Sequence, residues 1–233
     1  MSKQEDFTVP ASKTSGYEVH AIFPVAVYTK ENIIDPEKLL PVLEYIKTTP
    51  MGSNLRTSVY GEKSENTYIL DQPVLQSLKQ AINDNVSEYA NKVLGLAGGV
   101  AITQSWLSVK NPGQEHITHS HSNSIISGVF YFGNGGDVEG LTFSKNAYVS
   151  STWMMDPMIN PNISNQFAFT EITLKVENYM ICLFPSYLAH KVSTNTTDKP
   201  RYSIAFNAVP QYSLGVEGDL TELDFFRVDR ESR

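Results

Sequence analysis

The chain has 233 residues, 41% of them hydrophobic and 18% charged, enough apolar material for one substantial core in a soluble globular protein. Its net charge of −7 argues against a general electrostatic grip on nucleic acid or on an acidic membrane, so small molecules or protein segments are the expected partners. A single cysteine, Cys182, excludes an intrachain disulfide, and its place in the apolar run Tyr179-Met-Ile-Cys-Leu-Phe184 reads as a buried, inert thiol.

The opening Met-Ser-Lys-Gln-Glu-Asp has no apolar signal-like run, and no stretch approaches the roughly 18 apolar residues that a membrane span needs. A cytoplasmic protein is expected. Residues 1–15 are polar and rich in Ser, Thr and Lys, the composition of a loose tail. His20-Ala-Ile-Phe-Pro-Val-Ala-Val-Tyr28 predicts a strand, with Pro24 placing it near an edge or a bulge. Asp35-Pro36-Glu37 then predicts a helix capped by Asp35 and running through Leu39, Leu40, Val42, Leu43 and Ile46. A second helix is read from Val74, Leu75, Leu78, Ile82, Val86, Tyr89, Ala90 and Val93, which share one stripe of a 3.6-residue repeat. Asp71 is its expected cap, and Gly95 with Gly98-Gly99 ends it.

Beyond residue 100 the pattern becomes short β-rich segments separated by turn signals, at 100–110, 116–121, 124–133, 140–145, 165–175, 178–185, 188–194 and 200–209. Asn134-Gly-Gly136 and Glu177-Asn178 look like hairpin turns. The stretch 146–165, with Trp153, Met154, Met155 and Met158, is long and apolar enough to suggest a lid or a partner surface. The expected fold is mainly β with flanking helices (α+β), a double-stranded β-helix or jelly-roll core with two N-terminal helices packed on it. The expected organisation is a disordered tail over 1–15 and one domain over 16–233. That domain divides into an N-terminal strand and helices (16–99), the jelly-roll core (100–209) and a C-terminal extension (210–233). Leu223-Asp-Phe-Phe-Arg-Val228 in that extension suits an edge strand or a homodimer contact.

Chemistry concentrates in two places. Gly113-Gln-Glu-His-Ile-Thr-His119-Ser-His121 carries two histidines one residue apart, which on an extended strand project to the same side. His190 follows the apolar run ending at Phe184-Pro-Ser-Tyr-Leu-Ala, and Arg201-Tyr-Ser203 comes about ten residues later. Three neutral imidazoles converging on one point suit Fe(II), Zn(II), Mn(II) or Ni(II). His116, three residues before His119, points to the opposite side on a continuous strand, and it and His20 read as ordinary core or surface histidines. Asn123 shares the His121 side of the strand and could hydrogen-bond oxygens on the metal, and Asn207 on the Arg201 strand lines the same pocket.

These motifs resemble the 2-oxoglutarate and Fe(II)-dependent oxygenases, in particular a phage and marine bacterial branch related to prolyl hydroxylases, over roughly residues 100 to 209. Members show a glycine six residues before His-X-Asp, a distal histidine, and Arg-X-Ser about ten residues further on. Gly113, His119, His190 and Arg201-Tyr-Ser203 occupy those places, and His121 stands where the wider superfamily has aspartate. The resemblance implies Fe(II) held by His119, His121 and His190, with Arg201, Ser203 and Tyr131 receiving the far carboxylate of 2-oxoglutarate. It further implies O₂ as oxidant, room for ascorbate, and hydroxylation of an organic substrate with release of succinate and CO₂. The expected location is the cytoplasm, or the host cytoplasm for a phage-encoded chain. The alternatives are a cupin-like metal-dependent enzyme that does not use 2-oxoglutarate, since Gly113 to His121 also fits the first cupin motif, or a non-catalytic binding β-protein. Cupins then expect glutamate near Ile125 and Ile126 and glycine at Tyr187, and they give Arg201-X-Ser203 no role.

Overall fold

Asp35-Pro36-Glu37 opens a helix in the computed structural model of the chain, which describes residues 11–14, 16–21, 24–52, 60–132, 138–145, 169–177 and 179–223. Helix α1 (Pro36–Thr48) starts where the Asp35 carboxylate accepts a hydrogen bond from the Glu37 N–H at 3.0 Å. Pro36 is harmless there because its missing N–H would have no intrahelical partner anyway. Leu39, Val42 and Ile46 are buried, three and four residues apart as one helical face requires.

The second helix, α2 (Gln76–Glu88), begins later than its periodicity predicts, because Ile69–Asp71 and Pro73–Leu75 form short 3₁₀ turns. Asp71 is not its cap. Pro73 would be the second residue after such a cap and has no N–H to give it, and the Asp71 carboxylate pairs instead with Lys79 at 2.7 Å. The apolar stripe Leu78, Ile82 and Val86 continues into Tyr89 and Ala90 on a π-helical turn, Tyr89–Val93. Gly95, at φ 69°, ends it as the sequence predicts, letting the Leu96 N–H return to the Ala90 carbonyl.

The strand expected over His20–Tyr28 is not continuous. Strand β2 (Tyr17–His20) pairs with β1 (Ala11–Thr14), residues 24–27 belong to no strand, and β3 (Tyr28–Lys30) joins a different sheet. Pro24 lacks the N–H that a ladder would need at that point. Residues 1–10 and 15 of the expected tail lie outside the described residues, as does the whole of the 146–165 segment.

The remaining strands are β4 (Met51–Gly52), β5 (Glu62–Ser64), β6 (Val100–Lys110), β7 (His116–His119), β8 (Ile126–Tyr131), β9 (Val138–Ser144), β10 (Glu171–Val176), β11 (Ile181–Pro185), β12 (His190–Val192) and β13 (Arg201–Pro210). They form a seven-stranded sheet in the order β3-β11-β8-β13-β6-β5-β4 and a four-stranded sheet in the order β10-β9-β12-β7, with antiparallel ladders throughout. The chain therefore changes sheet between β6 and β7, between β7 and β8, and again at β8–β9, β10–β11, β11–β12 and β12–β13. The two connections expected as hairpin turns, around 134–136 and 177–178, are thus crossovers between sheets. The turn residues 134–136 and Asn178 themselves lie outside the described residues.

Alternation along the large sheet then sorts side chains by face. Leu107 and Val109 of β6, Phe130 of β8, Ile181 and Leu183 of β11, and Ile204 and Phe206 of β13 belong to one apolar cluster with the buried residues of α1 and α2. The residues between them, Trp106, Ser108, Lys110, Ser127, Val129, Tyr131, Phe184, Arg201, Ser203 and Ala205, face a cavity closed on its other side by His119, Leu141, His190 and Val192 of the small sheet. One face carries the fold's apolar core and the other carries its polar chemistry. A second apolar cluster, including Tyr131, Leu141, Phe143, Cys182 and Phe184, ties the two sheets together beside that cavity.

Candidate metal centre

His119 on β7 and His190 on β12 are directly opposed in the antiparallel ladder. The next matched pair is His116 with Val192, three residues along β7 but only two along β12, so β7 carries a bulge. The extra residue breaks the alternation, turns Ile117 outward at 44% exposure and brings His116 onto the side of His119, with ring centroids 4.3 Å apart. The sequence expectation that His116 faces away is therefore corrected: it lines the same cavity.

His121 lies just past the end of β7, held by its N–H to the Ser186 carbonyl at 3.0 Å. Its ring stacks on the indole of Trp106 at 6.0 Å between centroids. His119, His121 and His190 each offer a ring nitrogen within 4.8 Å of the others, the group among the described residues that could hold a metal ion.

The second nitrogen of each ring is already engaged. His119 Nδ1 meets the Ile117 carbonyl at 2.9 Å, His190 Nδ1 meets the Leu188 carbonyl at 2.9 Å, and His121 Nδ1 meets Asn207 Oδ1 at 2.6 Å. A carbonyl oxygen only accepts, so each Nδ1 carries the hydrogen and each Nε2 keeps a lone pair for a metal. Burial is the first cause that keeps these rings neutral. It lowers His190 to about 3, with His119 and His121 adding to the shift, and lowers His119 and His121 below the ordinary histidine value. Three neutral, oriented imidazoles with no competing proton fit a borderline divalent cation such as Fe(II).

Asn207 is fixed in turn by Ser127, whose hydroxyl donates to the same Oδ1 at 2.9 Å, and Ser127 and Ser124 both approach Ser186 Oγ at 2.9 Å. Asn123 does not join this group. At φ 57° it sits in a left-handed bend that ends the strand alternation, and it lines a separate cavity with Ala101, Val209 and Leu214.

The wall facing the histidines is cationic. Arg201 is 6% exposed and donates from Nη2 to the Ser193 carbonyl at 3.1 Å, and Ser203, two residues along β13, lines the cavity beside it. The Tyr131 hydroxyl is buried without a hydrogen-bond partner among the described residues, and burial pushes its pKa strongly upward, so it stays a donor. Lys110 lines the same wall, and neither it nor Trp106 carries a motif signal in the sequence. Cys182 is fully buried, its thiol pushed up to about 12. Ile126, where a cupin would place a carboxylate ligand, belongs to the helix-side core.

Residues 104–207 match the family described as "Putative 2OG-Fe(II) oxygenase", a stretch that contains every described residue lining the histidine cavity. No curated protein matches the chain in sequence. Among solved structures, the epimerase SnoN, in complex with Fe3+, alpha ketoglutarate and nogalamycin RO, aligns with a TM-score of 0.58 at 11% identity, covering 87% of each chain. HygX from Streptomyces hygroscopicus, with nickel, 2-oxoglutarate and hygromycin B bound, aligns at 0.56 and 10% identity over 81% of this chain and 84% of that one. A Pseudomonas putida prolyl-4-hydroxylase aligns at 0.52 and 14% identity over 78% and 92%. At these identities the three share its fold.

Proposed function

We propose that this chain is a 2-oxoglutarate and Fe(II)-dependent oxygenase that hydroxylates an organic substrate with release of succinate and CO₂, a reading supported by the family match of residues 104–207. The observation that carries the reading is the pairing of three Nε2-presenting histidines with a buried guanidinium in one cavity. Such a cavity fits a ligand that chelates a metal at one end and presents a carboxylate at the other.

His119, His121 and His190 would hold Fe(II), which would supply the oxidising chemistry that couples oxidative decarboxylation of 2-oxoglutarate by O₂ to hydroxylation of the substrate. Arg201 receives the far carboxylate of 2-oxoglutarate in a charge-assisted pair, helped by the hydroxyls of Ser203 and Tyr131. Asn207 holds His121 in the tautomer and orientation that ligation needs. Trp106 stiffens the same ring from its face. With no carboxylate among the ligands, charge balance at the metal falls to the dianionic co-substrate.

The fold that supports this is a jelly roll over 100–209, with the two helices packed on the outer face of its large sheet, inside one domain over 16–233. The crossovers between sheets and the apolar cluster shared by helices and strands support that arrangement. The test is succinate formation from 2-oxoglutarate in the presence of Fe(II) and O₂. Wild-type protein produces succinate and His190→Ala does not; equal succinate from both would overturn the assignment.

A further inference from the structure

Resting on the reading that Arg201 receives the far carboxylate of 2-oxoglutarate, we propose that Lys110 is a second cationic anchor for that co-substrate, so that the cavity holds its dicarboxylate between two fixed positive charges. Lys110 ends β6 and is the register partner of Arg201 at the start of β13. Directly opposed residues on neighbouring strands project to one face, and both side chains line the histidine cavity.

A lysine here is costly to the fold. It is only 5% exposed, and desolvation first, then the Arg201 charge, lower its pKa to about 8. Its ammonium meets Ser108 Oγ at 3.1 Å, a neutral group that cannot balance its charge. The described residues that line the cavity include no carboxylate, and burial keeps His116, His119, His121 and His190 neutral.

The backbone is nevertheless shaped to admit this side chain. Gly61, at φ 74°, lies so close that a Cβ there would meet Lys110 Cδ at 2.7 Å and the Val109 carbonyl. A methionine of similar length would fill the same slot without desolvating a charge, so the cation answers a need that folding does not create. A ligand with two carboxylates supplies the missing counter-charge. Lys110 lines one cavity with His116, His119 and Arg201 and stands opposite Arg201 in the ladder. The Tyr131 hydroxyl, buried in the same cavity without a partner among the described residues, is a third donor for the same ligand.

The experiment is calorimetric titration of nickel-loaded protein with 2-oxoglutarate, run beside nickel titration of each variant. Lys110→Met and Lys110→Gln are expected to bind 2-oxoglutarate roughly ten- to a hundredfold more weakly than wild type at unchanged nickel affinity, the loss of one charge-assisted hydrogen bond. Lys110→Arg is expected to recover most of that loss. Wild-type 2-oxoglutarate affinity in both neutral variants, or a nickel affinity that falls in the same proportion, would overturn the inference while leaving the function proposed above intact. Wild-type protein that takes nickel but no 2-oxoglutarate would overturn both.

Discussion

Asn207 Oδ1 stands 2.6 Å from His121 Nδ1, so a residue on β13 of the large sheet fixes a histidine that follows β7 of the small one. The same oxygen accepts the Ser127 hydroxyl at 2.9 Å, so one amide oxygen is shared by the ring and a neighbouring strand. Asn207→Ala is therefore expected to lower metal affinity about ten- to a hundredfold, as loss of a ligand's supporting hydrogen bond does elsewhere. Asn207→Asp keeps an acceptor on Nδ1 and is expected to retain it. Nickel titration of the two variants checks this, and equal affinities would remove the role.

Arg201→Ala removes the guanidinium from a wall where Ser203 and Tyr131 offer neutral groups and Lys110 is the cation that remains among the described residues. Affinity for 2-oxoglutarate is expected to fall roughly ten- to a hundredfold or more, with metal affinity preserved. Unchanged saturation by 2-oxoglutarate in a turnover assay would count against the carboxylate assignment.

Gly128 on β8 sits where the Phe206 ring and the Leu183 side chain leave no space for a Cβ. Both neighbours belong to the core shared with the helices, so they cannot move aside without disturbing it. Gly128→Ala is expected to cost about 1–3 kcal/mol of stability. Urea denaturation measures it, and a midpoint equal to wild type would mean the core yields more readily than its packing indicates.

Burial makes the metal-free protein sensitive to acid. His190 is lowered to about 3 from an ordinary 6.5 and His116 to about 4, so between those values and 6.5 the unfolded chain binds protons that the folded chain refuses. The stability contributed by the neutral rings is complete above about pH 6.5 and drains away as the pH falls toward 3. The urea midpoint of metal-free protein is expected to drop steadily from about pH 7 to about pH 5, and His190→Asn is expected to flatten that slope. A flat wild-type profile would contradict the burial account.

Local signals carried much of this molecule. Asp35 with Pro36, the Leu78-Ile82-Val86 stripe and Gly95 each declare a helix feature within a few residues, and the strand segments from 100 to 209 are bounded by their own turn residues. What the sequence hid depends on pairing between distant segments. The bulge that turns His116 inward exists only because β7 lies against β12, and no residue of β7 announces it. Lys110 acquires its meaning from standing opposite Arg201, ninety-one positions away in the chain. The two connections read as hairpins carry ordinary turn residues; only the division into two sheets makes them crossovers. Asn123 misled for a local reason, since its left-handed backbone stops the alternation that placed it beside His121.

The most direct test of three histidines and an arginine serving one chelated dicarboxylate is anaerobic titration of the Fe(II)-loaded protein with 2-oxoglutarate, followed by visible absorbance. The account predicts a broad metal-to-ligand charge-transfer band that saturates with one equivalent of 2-oxoglutarate, is missing in His119→Ala, and needs far more ligand in Arg201→Ala. No band in the wild type at saturating 2-oxoglutarate, or a band that persists undiminished in His119→Ala, would contradict it.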